Sequence, residues 1–226
     1  MSKQNNNIKK SFAIILDCDG TIAKDTTTQL IDQIGGNSKK FWEPINKRYK
    51  EGWDPSLLWM PELIKYAASL KKPLSIDLFS SMGKEIDFYQ GIPNFFKSIK
   101  DWFSKEVNRL NLQLDLKIFI ITGGLEDLIL KTKIKYSADD IYGCTYYFDK
   151  QGLAIQPKSS ITFTEKTRFI FSINKGIEKV KERKDPGLVN QYTPNSKRKI
   201  PLDKTIYIGD GPTDIPCFTI INRAGG

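Results

Sequence analysis

Apolar residues along the chain fall into two rhythms. "SFAIILD" (11–17), "LKIFIIT" (116–122) and "KTIYIGD" (204–210) are short, unbroken, β-branched runs, each followed closely by glycine. Such runs predict buried strands. The stretches between them space their apolar residues at helical intervals. Strands alternating with helices predict an α/β fold with a parallel sheet. Ligands of such sheets sit beyond the carboxyl ends of the strands, where this chain places Asp17, Thr122 and Asp210.

The interval between the first two strands is far longer than one crossover helix requires. Helical patterns at 26–35, 38–52, 54–70 and 75–89, punctuated by Gly, Pro and Ser/Asp, predict a small inserted helical domain over 23–90. Residues 1–22 and 91–226 then form the core, with a crossover helix at 94–110. Further on, the pattern predicts a helix at 125–133, a hairpin over 141–157 turning at 149–152, and one helix over 164–184. Residues 185–203 lack periodicity and are expected to be mobile or functional. Trp42, Trp53 and Trp59 follow helical spacing and read first as core, with the wall of a substrate pocket as the other reading.

The opening "MSKQNNNIKK" lacks the apolar centre of a secretory signal and reads as a frayed tail. No run has the apolar length to cross a bilayer. Three scattered cysteines suit a reducing compartment. A cytoplasmic protein without membrane association is therefore expected.

Histidine is absent from all 226 residues, which excludes a Ser-His-Asp triad, phosphohistidine chemistry and histidine-ligated zinc. Acid–base work falls to carboxylates, lysines or tyrosines. The net charge is +9, and residues 166–204 hold eleven basic against four acidic side chains. This favours anionic partners. The basic runs are short and lack interleaved aromatics, so a solvated face is the plainer reading and nucleic acid is not the expected partner. Cys217 and Arg223 have the C-x5-R spacing of cysteine-dependent phosphatases, but the intervening "FTIIN" is too bulky and apolar for a phosphate-wrapping loop.

The strand ends carry the chemistry. Asp17 and Asp19 lie two apart, which in an extended segment aims both carboxylates at one site. Their repulsion calls for a shared proton or a cation, and Asp210 and Asp214 on the glycine-rich "GDGPTD" add two more carboxylates. All-oxygen ligation suits Mg²⁺. Lys166 and the Thr122-Gly123-Gly124 turn read as the opposite half, a receptor for phosphoryl oxygens.

In order and spacing, "DCDGT", "ITGG", "TEKTRFIF" and "GDGPTD" resemble the four signature motifs of the haloacid dehalogenase superfamily. The insert after the first motif resembles the cap of its phosphoserine phosphatase-like branch. The resemblance implies a doubly wound, Rossmann-like core and a Mg²⁺-dependent phosphomonoester hydrolase acting on a small phosphorylated metabolite. It implies that Asp17 attacks phosphorus and that Asp19 serves as general acid and then base. It further implies that Asp17, Asp19 through its carbonyl, and Asp210 hold the metal with support from Asp214, while Thr122, Gly123 and Lys166 bind phosphate. Asp19 favours ester hydrolysis over dehalogenation, because an alkoxide needs a proton to leave and a halide does not. Thr122 stands where phosphoserine phosphatases usually carry Ser, so the substrate need not be phosphoserine. Relatives usually continue beyond the fourth motif, so an incomplete sheet edge or a truncated chain is expected. Alternatives are a phosphotransferase or mutase of the same family, or a non-catalytic, basic nucleic-acid-binding protein.

Overall fold

The computed structural model describes residues 11–226. The expected frayed tail, residues 1–10, lies outside the described residues. Five strands, β1 (Ser11–Leu16), β2 (Asp115–Leu125), β3 (Asp140–Phe148), β4 (Ala154–Ser159) and β5 (Thr205–Ile208), form one sheet in the order β4-β3-β2-β1-β5. β5, β1, β2 and β3 are parallel. β4 is antiparallel to β3. The chain runs outward from β1 to β4 and returns to β5 on the other side of β1, so the strand order reverses at the β1/β5 boundary. A crevice opens at such a reversal, beyond the carboxyl ends of the strands.

Alternation along β1 divides the core. Ile14 and Leu16 join Ile118 and Ile120 of β2 and Phe96 on one face. Ala13 and Ile15 join Ile121, Phe169, Ile170 and Cys217 on the other. The Phe96 side is covered by the crossover helix α5 (Asn94–Arg109), as the spacing predicts.

Four helices fill the long interval: α1 (Thr26–Gln33), α2 (Ser38–Tyr49), α3 (Pro55–Ser69) and α4 (Ile76–Met82). Each starts where a short polar side chain caps it, since Asp25, Asn37, Asp54 and Ser75 all accept hydrogen bonds from first-turn amides. Their apolar residues, among them Leu30, Met60, Leu63 and Phe79, join the cluster that contains Ala13 and Ile15. The insert therefore shares a continuous apolar core with one face of the sheet.

Two expectations change. The helix predicted over 125–133 is only the single turn α6 (Glu126–Ile129). The helix over 164–184 is two, α7 (Glu165–Lys175) and α8 (Lys179–Lys184), parted at Gly176, which adopts the left-handed conformation (φ 71°) that ends helices. Residues 185–203, expected to be mobile or functional, make short 3-10 turns, and Lys175 Nζ donates to the carbonyls of Val189 and Gln191 at 2.5 and 2.6 Å. The hairpin turns at 149–152 as expected, where Asp149 Oδ1 accepts from the amides of Gln151 and Leu153. The chain continues through α9 (Ile215–Arg223), and no described helix is long and apolar enough to cross a membrane.

The basic excess also looks different in three dimensions. Lys166, Arg168, Lys179 and Arg183 direct their charge at the buried carboxylates of Asp17 and Asp214, Glu182, and Glu126. Four of the eleven basic side chains between 166 and 204 are thus committed to buried carboxylates within the fold.

Candidate active site

A cleft of about 230 Å³ opens at the β1/β5 boundary and is lined by Asp17, Asp19, Thr122, Gly123, Lys166 and Asp210. Asp17 follows β1 directly, and its amide donates to Ile208 O at 2.8 Å, continuing the pairing with β5 by one residue. The next residues turn sharply. Cys18 O accepts from the amides of Thr21, Ile22 and Ala23, while Gly20 N donates to Ala23 O. The carbonyl of Asp19 takes no part in these bonds. Gly20 has φ +88°, and a Cβ there would fall 2.1 Å from Asp210 Oδ2. Glycine is thus required twice, by the backbone and by the carboxylate against it.

Asp17 and Asp19 line the same cleft but have different partners. Asp17 Oδ1 lies 3.0 Å from Lys166 Nζ. Asp19 Oδ1 accepts from the Thr26 amide at 2.7 Å, at the start of α1, and its Oδ2 accepts from Thr122 Oγ1 at 3.3 Å. Gly124 makes room for this, because a Cβ on it would come within 2.3 Å of Asp19 Oδ2.

The Thr122-Gly123-Gly124 segment departs from the expected turn, because β2 runs through it to Leu125. The register against β3 steps from Ile121↔Tyr142 to Leu125↔Cys144. Three residues of β2 therefore oppose one of β3, and this bulge re-aims Thr122 and its neighbours toward the cleft. The Thr122 hydroxyl also accepts from Gly124 N at 2.9 Å.

Lys166 sits in the first turn of α7 and is only 1 % exposed, unlike a solvated lysine at a helix start. Its ammonium lies 2.7 Å from Asp214 Oδ1 as well as against Asp17. Burial alone would lower its pKa, but the two carboxylates more than offset this and hold the lysine charged. Burial pushes Asp17 up to about 6, with Asp214 adding to the rise and Lys166 opposing it. Burial also raises Asp19, reinforced by the charge of Asp25 and opposed by its bond to the Thr26 amide.

Asp214, fully buried, is held by Lys166, by the Tyr207 hydroxyl at 2.6 Å and by the Gly211 amide at 3.1 Å. Burial keeps the Tyr207 hydroxyl protonated, so it acts as a donor. Asp210 is exposed, and its Oδ1 accepts from Thr21 Oγ1 at 3.0 Å.

Oxygens of Asp17, Asp210 and Asp214 lie within 4.8 Å of one another. Asp17 Oδ1 is buried and, among the described residues, meets the Lys166 ammonium without a directed hydrogen bond, and every donor in the set is a hard oxygen. Such a set fits Mg²⁺ better than a softer ion. The side chain of Asp19 stands apart from this group, turned to Thr26 and Thr122, which leaves its carbonyl as the atom it could offer a metal.

Several lining or supporting residues did not stand out in the sequence. Asp25 and Thr27 line the cleft from the start of α1, while Tyr207 orients Asp214; Thr21, within "DCDGT" but given no role there, bonds to Asp210. The tryptophans divide. Trp59 is buried in the apolar cluster and Trp42 packs against it, yet both also line the cleft. Trp53 is exposed and stacks under Arg48 at 4.4 Å. Cys217 is buried inside α9 with its thiol pushed up to about 11, as suits a structural cysteine.

A mostly parallel sheet with carboxylates and a buried lysine at its order reversal defines an α/β protein with an acidic site at its strand ends. Residues 14–219 match the haloacid dehalogenase-like hydrolases, and the chain belongs to that family. It is 27% identical to an uncharacterized protein of Borreliella burgdorferi over 236 residues, covering 94% of this chain and 79% of the relative. Its fold is that of phosphoserine phosphatases. An apo phosphoserine phosphatase structure superposes with a TM-score of 0.54 at 18% identity, covering 96% of this chain and 84% of that one. A phospho-aspartyl intermediate analogue of phosphoserine phosphatase gives 0.51 at 21% identity, covering 96% and 85%.

Proposed function

We propose that the protein is a phosphomonoester hydrolase that works through a phosphoryl group carried on Asp17, requires Mg²⁺, and takes a small phosphorylated substrate. The observation that carries this reading is the position of Asp17, between the charged lysine and the other carboxylates at the strand-order reversal. Bound Mg²⁺ would neutralise charge between the carboxylates and the phosphate oxygens.

Asp17, Asp210, the carbonyl of Asp19 and, in support, Asp214 would hold that ion. Lys166, Thr122 and the backbone at Gly123 would bind the phosphoryl oxygens from the other side. Asp17 then attacks phosphorus, the P–O bond to the leaving alcohol breaks, and the departing oxygen takes a proton from Asp19. The raised pKa of Asp19 keeps a share of it protonated for this step. Once deprotonated, Asp19 removes a proton from the water that cleaves the aspartyl phosphate. Residues 23–90 serve as a cap in this reading, bringing Trp42 and Trp59 over the leaving group.

Hydrolysis of p-nitrophenyl phosphate with and without Mg²⁺ tests the proposal. Metal-dependent turnover that disappears in Asp17→Asn is expected, while metal-independent turnover or a fully active Asp17→Asn rejects it.

A further inference from the structure

The part of the cleft beyond the carboxylates carries information about the leaving group. Trp42 on α2 and Trp59 on α3 line it with ring centroids 6.3 Å apart and planes inclined by 58°. Asp25 lines it too. Thr28 joins two of these three: its amide donates to Asp25 Oδ1 at 2.5 Å, and its hydroxyl accepts from Trp42 Nε1 at 2.9 Å. With its N–H committed to Thr28, the Trp42 indole has a fixed orientation. Lys166 is the one basic side chain among the described residues lining the cleft, and Asp17 and Asp214 already engage it.

Two indoles and a carboxylate favour a positive group. A cation within about 6 Å of indole faces is attracted by the ring quadrupole, and quaternary ammonium groups are bound by aromatic side chains in this way. A leaving group bearing a carboxylate would meet Asp19 and Asp25 with no spare cation to pair with. The cleft volume of about 230 Å³ is below the roughly 300 Å³ at which drug-sized pockets begin, which suits a small substrate.

We infer that the substrate is the phosphate monoester of a small ammonium-bearing alcohol, of the choline or ethanolamine type, with its cationic end held by Trp42, Trp59 and Asp25. The inference rests on the phosphatase reading and names its substrate class. Water and the ester give inorganic phosphate and the free amino alcohol, with the alcohol oxygen protonated by Asp19.

Calorimetric binding to Asp17→Asn with Mg²⁺ tests the cationic subsite without turnover. Choline phosphate or ethanolamine phosphate should bind more tightly than glycerol 3-phosphate or O-phosphoserine. Trp42→Leu and Asp25→Asn, each added to Asp17→Asn, should weaken the ammonium ester by about fivefold or more and leave glycerol 3-phosphate within about twofold, with Trp42→Phe restoring most of the loss. Asn still caps α1, so the second variant removes charge without removing the cap.

Activity of the wild-type protein separates the two readings. Turnover of p-nitrophenyl phosphate with no preference for ammonium esters in binding or kcat/KM overturns the substrate class and leaves the phosphatase standing. Tight, tryptophan-dependent binding of ammonium esters without hydrolysis of any ester supports the cage and overturns the phosphatase.

Discussion

Lys166 Nζ lies 3.0 Å from Asp17 Oδ1, and both side chains are almost wholly buried, at 1 % and 8 % exposure. The lysine also contacts Asp214, so its removal leaves two buried carboxylates without their cation. Breaking a buried pair from one side costs roughly 3–5 kcal/mol. Lys166→Met should lose about this much stability in denaturant titration as well as most of its turnover. Unchanged stability would mean that the lysine is not buried against these acids.

Asp19 should set the alkaline side of the rate profile for alkyl phosphates. Its raised pKa means that the protonated form needed by the leaving alkoxide is progressively lost as pH rises through that value. Asp19→Asn should lose roughly 10²–10⁴-fold in turnover of an alkyl ester. It should lose less with p-nitrophenyl phosphate, whose phenolate leaves without a proton. Equal losses on the two substrates would remove Asp19 from the proton-transfer step.

Stability of the metal-free protein should depend on pH through Asp17. Its pKa rises from 3.8 to about 6 on folding, so across that window the native state binds more protons than the unfolded chain. This contribution is fully present below pH 3.8 and is lost as pH rises through about 6. A shift of this size corresponds to about 3 kcal/mol. The comparison of wild type with Asp17→Asn isolates it from other carboxylates: from low to neutral pH, wild type should lose more stability than the variant. Parallel curves would contradict the buried position of Asp17.

Mg²⁺ should stabilise the folded protein, by about 2.7 kcal/mol at a hundred times its Kd. Asp210→Asn should weaken that effect with little change in metal-free stability, since Asp210 is exposed and its side chain, among the described residues, bonds only to Thr21. Gly20→Ala should cost roughly 1–2 kcal/mol from its positive φ and also weaken Mg²⁺ binding, because the added methyl meets Asp210. Thermal melts across a Mg²⁺ series measure both.

Much of this site is legible in one dimension because it is made where strands end. "SFAIILD" and "KTIYIGD" end in Asp17 and Asp210, and neighbouring parallel strands bring their ends together. Lys166 is placed by its order behind the other motifs, but its burial is a product of α7 packing on the sheet. The bulge at Thr122 is hidden because "IFIITGGL" reads as a strand followed by a turn, and only pairing with β3 reveals the extra residues. The single turn α6 had looked longer since Glu126 and Asp127 fit a helical pattern, whereas their carboxylates accept from the amides of Gly143 and Tyr146 on β3. Asp25 and Tyr207 carry no local signature, because what each does depends on a residue brought near by folding, and Thr21 belongs to "DCDGT" but its partner Asp210 is set by the fold. For the tryptophans, helical spacing could not separate a core face from a cleft wall, and Trp59 serves as both.

The most direct test of the central claim is acid-quenched mass spectrometry of the enzyme during turnover with Mg²⁺. A phosphoryl group on the peptide containing Asp17, discharged by hydroxylamine and absent from Asp17→Asn, is the predicted result. Turnover at full rate with no phosphorylated peptide, or with the group on another residue, would contradict it.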